Sequence, residues 1–201
     1  MNQEQALFLL KETKLVAILR GIPVKQATNV ATALYDGGVR VLEFTFDHDD
    51  PDCVAHNCQR IRAVKKIFGD EMVVGCGTAL TVQEVEASVE AGGQIVISPN
   101  VDVSVIAKTK ALGAISMPGA LTPTEIVTAY NAGADIVKLF PAGTLGVPYI
   151  KAVRGPLGYI PMSAVGGVRP ETIADFLNVG VCGFGVGGEL VKKEFVRSGD
   201  M

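Results

Sequence analysis

The sequence predicts a closed (β/α)8 barrel built as a single domain over residues 1–201. Short apolar runs of strand length alternate with amphipathic stretches of helix length. One phrase recurs between them: a helix runs out, one or two glycines follow, and an apolar strand begins at once. Gly37-Gly38, Gly92-Gly93, Gly113, Gly133 and Gly180 all stand at such junctions. Strands centred near residues 16, 41, 73, 96, 115, 137, 162 and 183 make eight, and right-handed crossovers between parallel strands then close a barrel. An open doubly wound sheet is the alternative, but no early GxGxxG opens a helix.

Each element has its own local cause. Residues 2–13 read as an amphipathic helix with Ala6, Leu7, Leu9 and Leu10 on one side, closing one end of the core. Leu15–Leu19 is an apolar strand ending in Arg20-Gly21-Ile22-Pro23, followed by a helical stretch to about Tyr35. Glycine after each helix supplies the left-handed cap that turns the chain back into a strand. Thr81 with Glu84 and Thr122 with Glu125 have capping-box spacing, Pro123 suits a first helical position, and Asp102 can cap the helix after Pro99-Asn100. The eighth helix, from Glu189 to Met201, is expected to be short or truncated.

Composition narrows the class of function. The formal charge is −3 and no long basic run occurs, so nucleic acid and anionic membrane surfaces are not the expected partners. No apolar segment reaches membrane-spanning length and the N-terminus lacks a secretory pattern, which points to a cytoplasmic protein acting on a small molecule. Cys53, Cys58, Cys76 and Cys182 lack CxxC spacing and read as reduced and structural.

In a barrel of this type, chemistry sits where strands end at their carboxyl side. The run Ala134-Asp135-Ile136-Val137-Lys138-Leu139-Phe140-Pro141 puts a lysine inside a strand covered on both faces. Desolvation favours its neutral amine, a nucleophile for carbonyl carbon; the bland alternative is a lysine that snorkels out at the strand end. On the second strand, Val41, Glu43 and Thr45 share one face, so Glu43 points inward toward Lys138. That pair reads either as a buried salt bridge or as a Schiff-base amine with a proton-shuttling carboxylate. Gly166-Gly167 before a helix, with Gly187-Gly188 on the next strand, leaves bare backbone amides suited to a phosphate. Arg20 and the Thr78 hydroxyl can meet a substrate carboxylate. His48 and His56 among Asp47, Asp49, Asp50 and Asp52 invite a metal reading, but capping and turn roles in a solvated acidic loop account for them, and no metal site is assigned.

With these residues placed, the chain resembles the family of 2-keto-3-deoxy-6-phosphogluconate aldolases and their 6-phosphogalactonate and 4-hydroxy-2-oxoglutarate relatives. The matching stretches, over nearly the whole length, are Ile18-Leu19-Arg20-Gly21, Leu42-Glu43, Gly75-Cys76-Gly77-Thr78, Ile97-Ser98-Pro99, Pro118-Gly119, Lys138-Leu139-Phe140-Pro141 and Gly166-Gly167. The resemblance implies a class I aldolase on a TIM barrel, a homotrimer needing no metal or other cofactor. It implies Lys138 as the Schiff-base lysine, Glu43 as general acid/base, Thr78 and Arg20 as carboxylate contacts, Pro99 and Phe140 as pocket walls, and Gly166 with Gly167 as phosphate binders. The expected reaction cleaves a 2-keto-3-deoxy-6-phospho sugar acid to pyruvate and glyceraldehyde 3-phosphate. Alternatives are a 4-hydroxy-2-oxoglutarate-type aldolase, a sugar-phosphate isomerase or epimerase, and a non-catalytic phosphosugar-binding barrel. Three positions depart from the gluconate pattern: Asp47 replaces an arginine and would repel an anionic substrate, Gly188 replaces a phosphate-binding serine, and Val165 replaces a threonine, as in the galactonate branch.

Overall fold

A computed structural model describes residues 1–192 together with Glu194 and Val196. In chain order its strands are β1 (Leu15–Leu19), β2 (Val41–Thr45), β3 (Val73–Gly77), β4 (Ile95–Ile97), β5 (Ile115–Met117), β6 (Gly119–Ala120), β7 (Val137–Leu139), β8 (Met162–Val165) and β9 (Gly183–Val186). The helices are α1 (Gln3–Thr13), α2 (Ala27–Asp36), α3 (Cys53–Phe68), α4 (Val82–Glu90), α5 (Val103–Ala111), α6 (Pro123–Asn131), α7 (Ala142–Leu157) and α8 (Pro170–Asn178). All strand pairs are parallel, in the order β5-β4-β3-β2-β1-β9-β8-β7-β6.

The expected eight strands become nine because Pro118 divides the fifth. Proline has no N–H to continue a ladder, so β5 pairs with β4 on one side of the break and β6 pairs with β7 on the other. The divided strand also closes the barrel. Carbonyls of Ser116, Pro118 and Ala120 accept from Asp135 N–H (3.0 Å), Lys138 N–H (2.8 Å) and Phe140 N–H (3.1 Å). Most of the expected eighth helix falls on residues 193, 195 and 197–201, outside the described residues.

The recurring glycine junction has one geometry. Gly38, Gly92, Gly113, Gly133 and Gly180 each stand two residues past the end of a helix with φ between 72° and 102°. Each donates its N–H three residues back, and the following residue donates five residues back, as Gly92 does to Val89 and Gly93 to Ser88. This Schellman arrangement satisfies orphan carbonyls and aims the chain at the next strand. Helix starts agree with the sequence: Thr81 with Glu84 and Thr122 with Glu125 form reciprocal capping boxes, and Asp102 caps α5. The range of α7 is broken at Gly146, which is not helical (φ 73°, ψ 167°), just ahead of Pro148.

Strand parity sorts the core. Val16, Val41, Val73, Ile95, Ile97, Ile115, Met117, Ile136 and Val165 fill the barrel interior, with Ala6 and Leu10 of α1 in the same cluster at its floor. Alternate residues such as Leu42, Phe44, Val74, Val137 and Leu139 face the helices in two outer clusters. Close packing leaves no room at Gly75, where a Cβ would stand 1.8 Å from the Ile95 carbonyl oxygen. Gly75→Ala is therefore expected to lower the unfolding free energy by about 3 kcal/mol, because backbone rather than a side chain has to yield. Gly113→Ala, with φ 72° and nothing within 4 Å, should cost only about 1 kcal/mol. Urea denaturation of the two variants measures the difference.

Candidate active site

Most of the expected functional side chains are the next inward rung above the apolar interior. Ile18 leads to Arg20, Val41 to Glu43, Ile97 to Pro99, Ile136 to Lys138 and Phe140, Val165 to Gly167, and Gly185 to Gly187, since residues two apart share a strand face. All ten, namely Lys138, Glu43, Arg20, Thr78, Pro99, Phe140, Gly166, Gly167, Gly187 and Gly188, line one cavity of about 770 Å³ at the carboxyl ends of the strands. A second cavity, about 830 Å³, adjoins it across Ile18, Arg20, Gly187 and Gly188.

Lys138 is 7% exposed on β7, in register with Gly119 on one side and Ser163 on the other. Its Nζ lies 4.9 Å from the centroid of the Phe140 ring. Burial pulls its pKa down and the Arg20 charge pulls the same way, while Glu43 opposes both. Glu43 is 2% exposed on β2, and burial pushes its carboxyl up to about 7 against the pull of Lys138 and Arg20. The buried salt bridge that the sequence also allowed does not form: the two side chains make no ion pair within 4.0 Å, and Glu43 Oε2 has no hydrogen-bond partner among the described residues. Two buried ionisable groups thus face one space with their protonation preferences moved toward each other.

Room for that carboxyl comes from Gly77, where a Cβ would stand 1.4 Å from Glu43 Oε2. The next residue escapes parity. Val74 and Cys76 face the helices, so a regular Thr78 would face outward too; instead its φ of 58° turns it to the cavity. Left-handed backbone is a genuine outlier for a β-branched residue and costs about 1–2 kcal/mol.

The two glycine pairs complete the cavity wall on the side of β8 and β9. Gly166 (φ 85°) and Gly167 (φ 72°) curl toward α7, where Gly143 N–H donates to the Gly166 carbonyl at 2.7 Å. A Cβ on Gly143 would meet the Gly167 oxygen at 2.6 Å, so this approach requires glycine on both loops. Gly188 opens into free space, and a Cβ added there would have nothing within 4 Å. Sequence reasoning missed Gly143, Thr144 and Glu189, which also line the cavity. Their signal was proximity to the end of a functional strand, which no residue-type pattern marks.

The acidic loop does not gather a metal set: among the described residues no group of three or more His, Cys, Asp or Glu side chains is placed to hold an ion. His48 Nε2 meets Glu84 Oε1 at 2.7 Å and His56 Nδ1 meets Asp50 Oδ2 at 2.7 Å. The His56 bond holds the Asp50 carboxyl below its ordinary range. Asp47 and Asp50 act as turn residues, accepting from Asp49 and Asp52 N–H, whereas Asp52 makes no side-chain cap. Asp47 is exposed and stands outside the cavity lining. Among the described residues, no helix is long and apolar enough to cross a membrane.

Burial of Glu43 has a measurable consequence for stability. Its folded pKa of about 7 lies above the ordinary glutamate value of 4.5. Between those values the native state holds a proton the unfolded chain releases, so this contribution to stability falls as pH rises. Glu43→Gln is expected to be more stable than the wild type by about 3 kcal/mol above pH 8, with the gap closing toward pH 4. Urea unfolding across a pH series tests this.

Comparison with known proteins agrees with the geometry. The family model for KDPG and KHG aldolase matches residues 8–201. A probable 2-dehydro-3-deoxy-6-phosphogalactonate aldolase of Rhizobium meliloti (strain 1021) is 37% identical over 182 residues, covering 90% of this chain and 83% of that protein. A solved structure described as native KDPGal superposes with a TM-score of 0.82 at 36% identity, covering 89% of this chain and 84% of that one. A designed cube-shaped cage, made by fusing symmetric oligomeric domains, superposes with a TM-score of 0.82 at 33% identity over 93% of this chain and 69% of its own. With a buried lysine and glutamate at the mouth of a β/α barrel and a match over nearly its full length, the chain belongs to the KDPG and KHG aldolase family.

Proposed function

We propose that this chain is a class I aldolase cleaving a 2-keto-3-deoxy-6-phospho sugar acid to pyruvate and glyceraldehyde 3-phosphate. The observation that carries the reading is Lys138 and Glu43 buried at one cavity without an ion pair, the amine pKa lowered and the carboxyl pKa raised. A neutral amine attacks carbonyl carbon; a carboxyl near 7 both gives and takes a proton at neutral pH.

Lys138 Nζ adds to the C2 ketone to give a carbinolamine, with Glu43 moving a proton to the new hydroxyl. Loss of water yields a protonated imine. Glu43 takes the C4 hydroxyl proton as the C3–C4 bond breaks, and the bonding pair flows into the imine to form an enamine, to whose C3 the carboxyl then returns a proton. Glyceraldehyde 3-phosphate departs, and water hydrolyses the imine to release pyruvate and free Lys138. Arg20 and Thr78 hold the carboxylate, Pro99 and Phe140 wall the pocket, and the amides of Gly166, Gly167, Gly187 and Gly188 receive the phosphate.

Val165 and the galactonate-type relatives favour the galactonate configuration. A second reading, a 4-hydroxy-2-oxoglutarate-type aldolase, draws on Gly188, which brings no hydroxyl to the cradle. We further propose one domain over residues 1–201, a homotrimer and a cytoplasmic location; the oligomeric origin of the similar cage domain supports assembly.

Borohydride reduction with pyruvate, read by intact mass and peptide mapping, is expected to leave a pyruvyl adduct on Lys138. Lys138→Ala should carry none and lose turnover; a folded wild type that traps nothing would sink the class I reading. Glu43→Gln is expected to lower kcat by about 10²–10⁴-fold, measured by coupled pyruvate release.

A further inference from the structure

The histidine-bearing loop after β2 has no part in the steps above and does not line the cavity, yet one of its members, His48, bonds to the helix that follows the Thr78 turn. Thr78 holds a left-handed conformation unfavourable for its residue type, which its surroundings have to maintain. Its two neighbours are fixed by backbone bonds, Phe46 N–H donating to the Gly77 carbonyl at 2.8 Å and Ala79 N–H to the Ile97 carbonyl at 3.1 Å. The turn that follows is fixed by Glu84. Its Oε2 accepts from Leu80 N–H at 2.6 Å and Thr81 N–H at 3.0 Å. Its Oε1 meets His48 Nε2 at 2.7 Å, and because a carboxylate only accepts, that nitrogen carries the proton.

The same chain supplies an internal comparison. At α6, Glu125 Oε2 accepts from Leu121 and Thr122 N–H in the equivalent capping box. Glu125 is exposed and, among the described residues, its side chain bonds only within its own cap, which shows what capping alone requires. Glu84 is 5% exposed and is bound from a second loop. That loop follows the strand carrying Glu43, and the ring of His48 packs 6.1 Å from that of Phe46 at its root. The bond therefore ties the loop after Glu43 to the loop bearing Thr78.

We propose that His48 and Glu84 form a brace that holds Thr78 facing the cavity, as positioning residues for the pyruvyl carboxylate. This rests on reading Thr78 as a carboxylate contact, and the test separates the two. The pyruvate concentration that half-saturates borohydride trapping reports carboxylate binding; kcat at saturating substrate reports the later chemistry. His48→Ala is expected to raise the half-saturating pyruvate and the KM about three- to tenfold with kcat within about twofold. His48→Gln should restore the wild-type value, since its amide N–H can donate to Glu84 Oε1. Thermal unfolding of His48→Ala confirms that the fold is kept, because His48 lies outside the core clusters.

Thr78→Ala is the control for the underlying reading. If it raises half-saturation while His48→Ala does not, or if His48→Ala lowers kcat alone, the brace is wrong. If Thr78→Ala leaves half-saturation unchanged, the carboxylate contact itself is wrong and the brace loses its purpose. A rise in both, reversed by His48→Gln, supports the proposal.

Discussion

An ammonium enclosed by strands is unfavourable unless it is paired or loses its proton, and everything around Lys138 answers to that desolvation. This barrel declines the direct pair. Glu43 is close enough to act through its charge and makes no ion pair with Lys138, so burial prevails at both groups, holding the carboxyl up at about 7 and the amine below its ordinary value. A contact ion pair would have stabilised both charges and blocked the chemistry of each.

The surroundings of that pair follow from making room inside a closed sheet. A barrel of this size is filled by its own side chains, so space at the mouth has to come from residues without them. Gly77 stands where a methyl would overlap the Glu43 carboxyl, Gly119 is Lys138's register neighbour, and Gly166, Gly167 and Gly143 allow two loops to touch through backbone. Pro118 contributes differently: by splitting its strand it lets the chain pair with β4 on one side and β7 on the other, closing the cylinder beside Lys138. Glycine and proline, usually turn residues, here shape the interior.

Much of this was legible because period-two alternation is a local property. Leu42 and Phe44 outward with Val41 and Glu43 inward can be read from four residues, and the five Schellman junctions from single glycines after helical patterns. Thr78 was legible as a residue and not as a geometry: parity points it outward, and only a left-handed φ brings it to the cavity. His48 is the opposite case. Its sequence neighbourhood suggests a metal, while its partner is a glutamate 36 positions away on α4.

Side-chain periodicity and backbone preferences act over a few residues, and reading them along the chain is enough to find the alternation of strand and helix and the inward face of each strand. The same local rules assign Arg20, Glu43, Lys138 and the glycine pairs to one rim. They do not reach further. That Glu43 and Lys138 share a cavity without touching, that the fifth strand is divided at closure, and that Glu84 of α4 binds a histidine from the loop after β2 emerge only in the folded barrel. Each depends on distances between segments far apart in the chain, which are set by how the whole barrel packs.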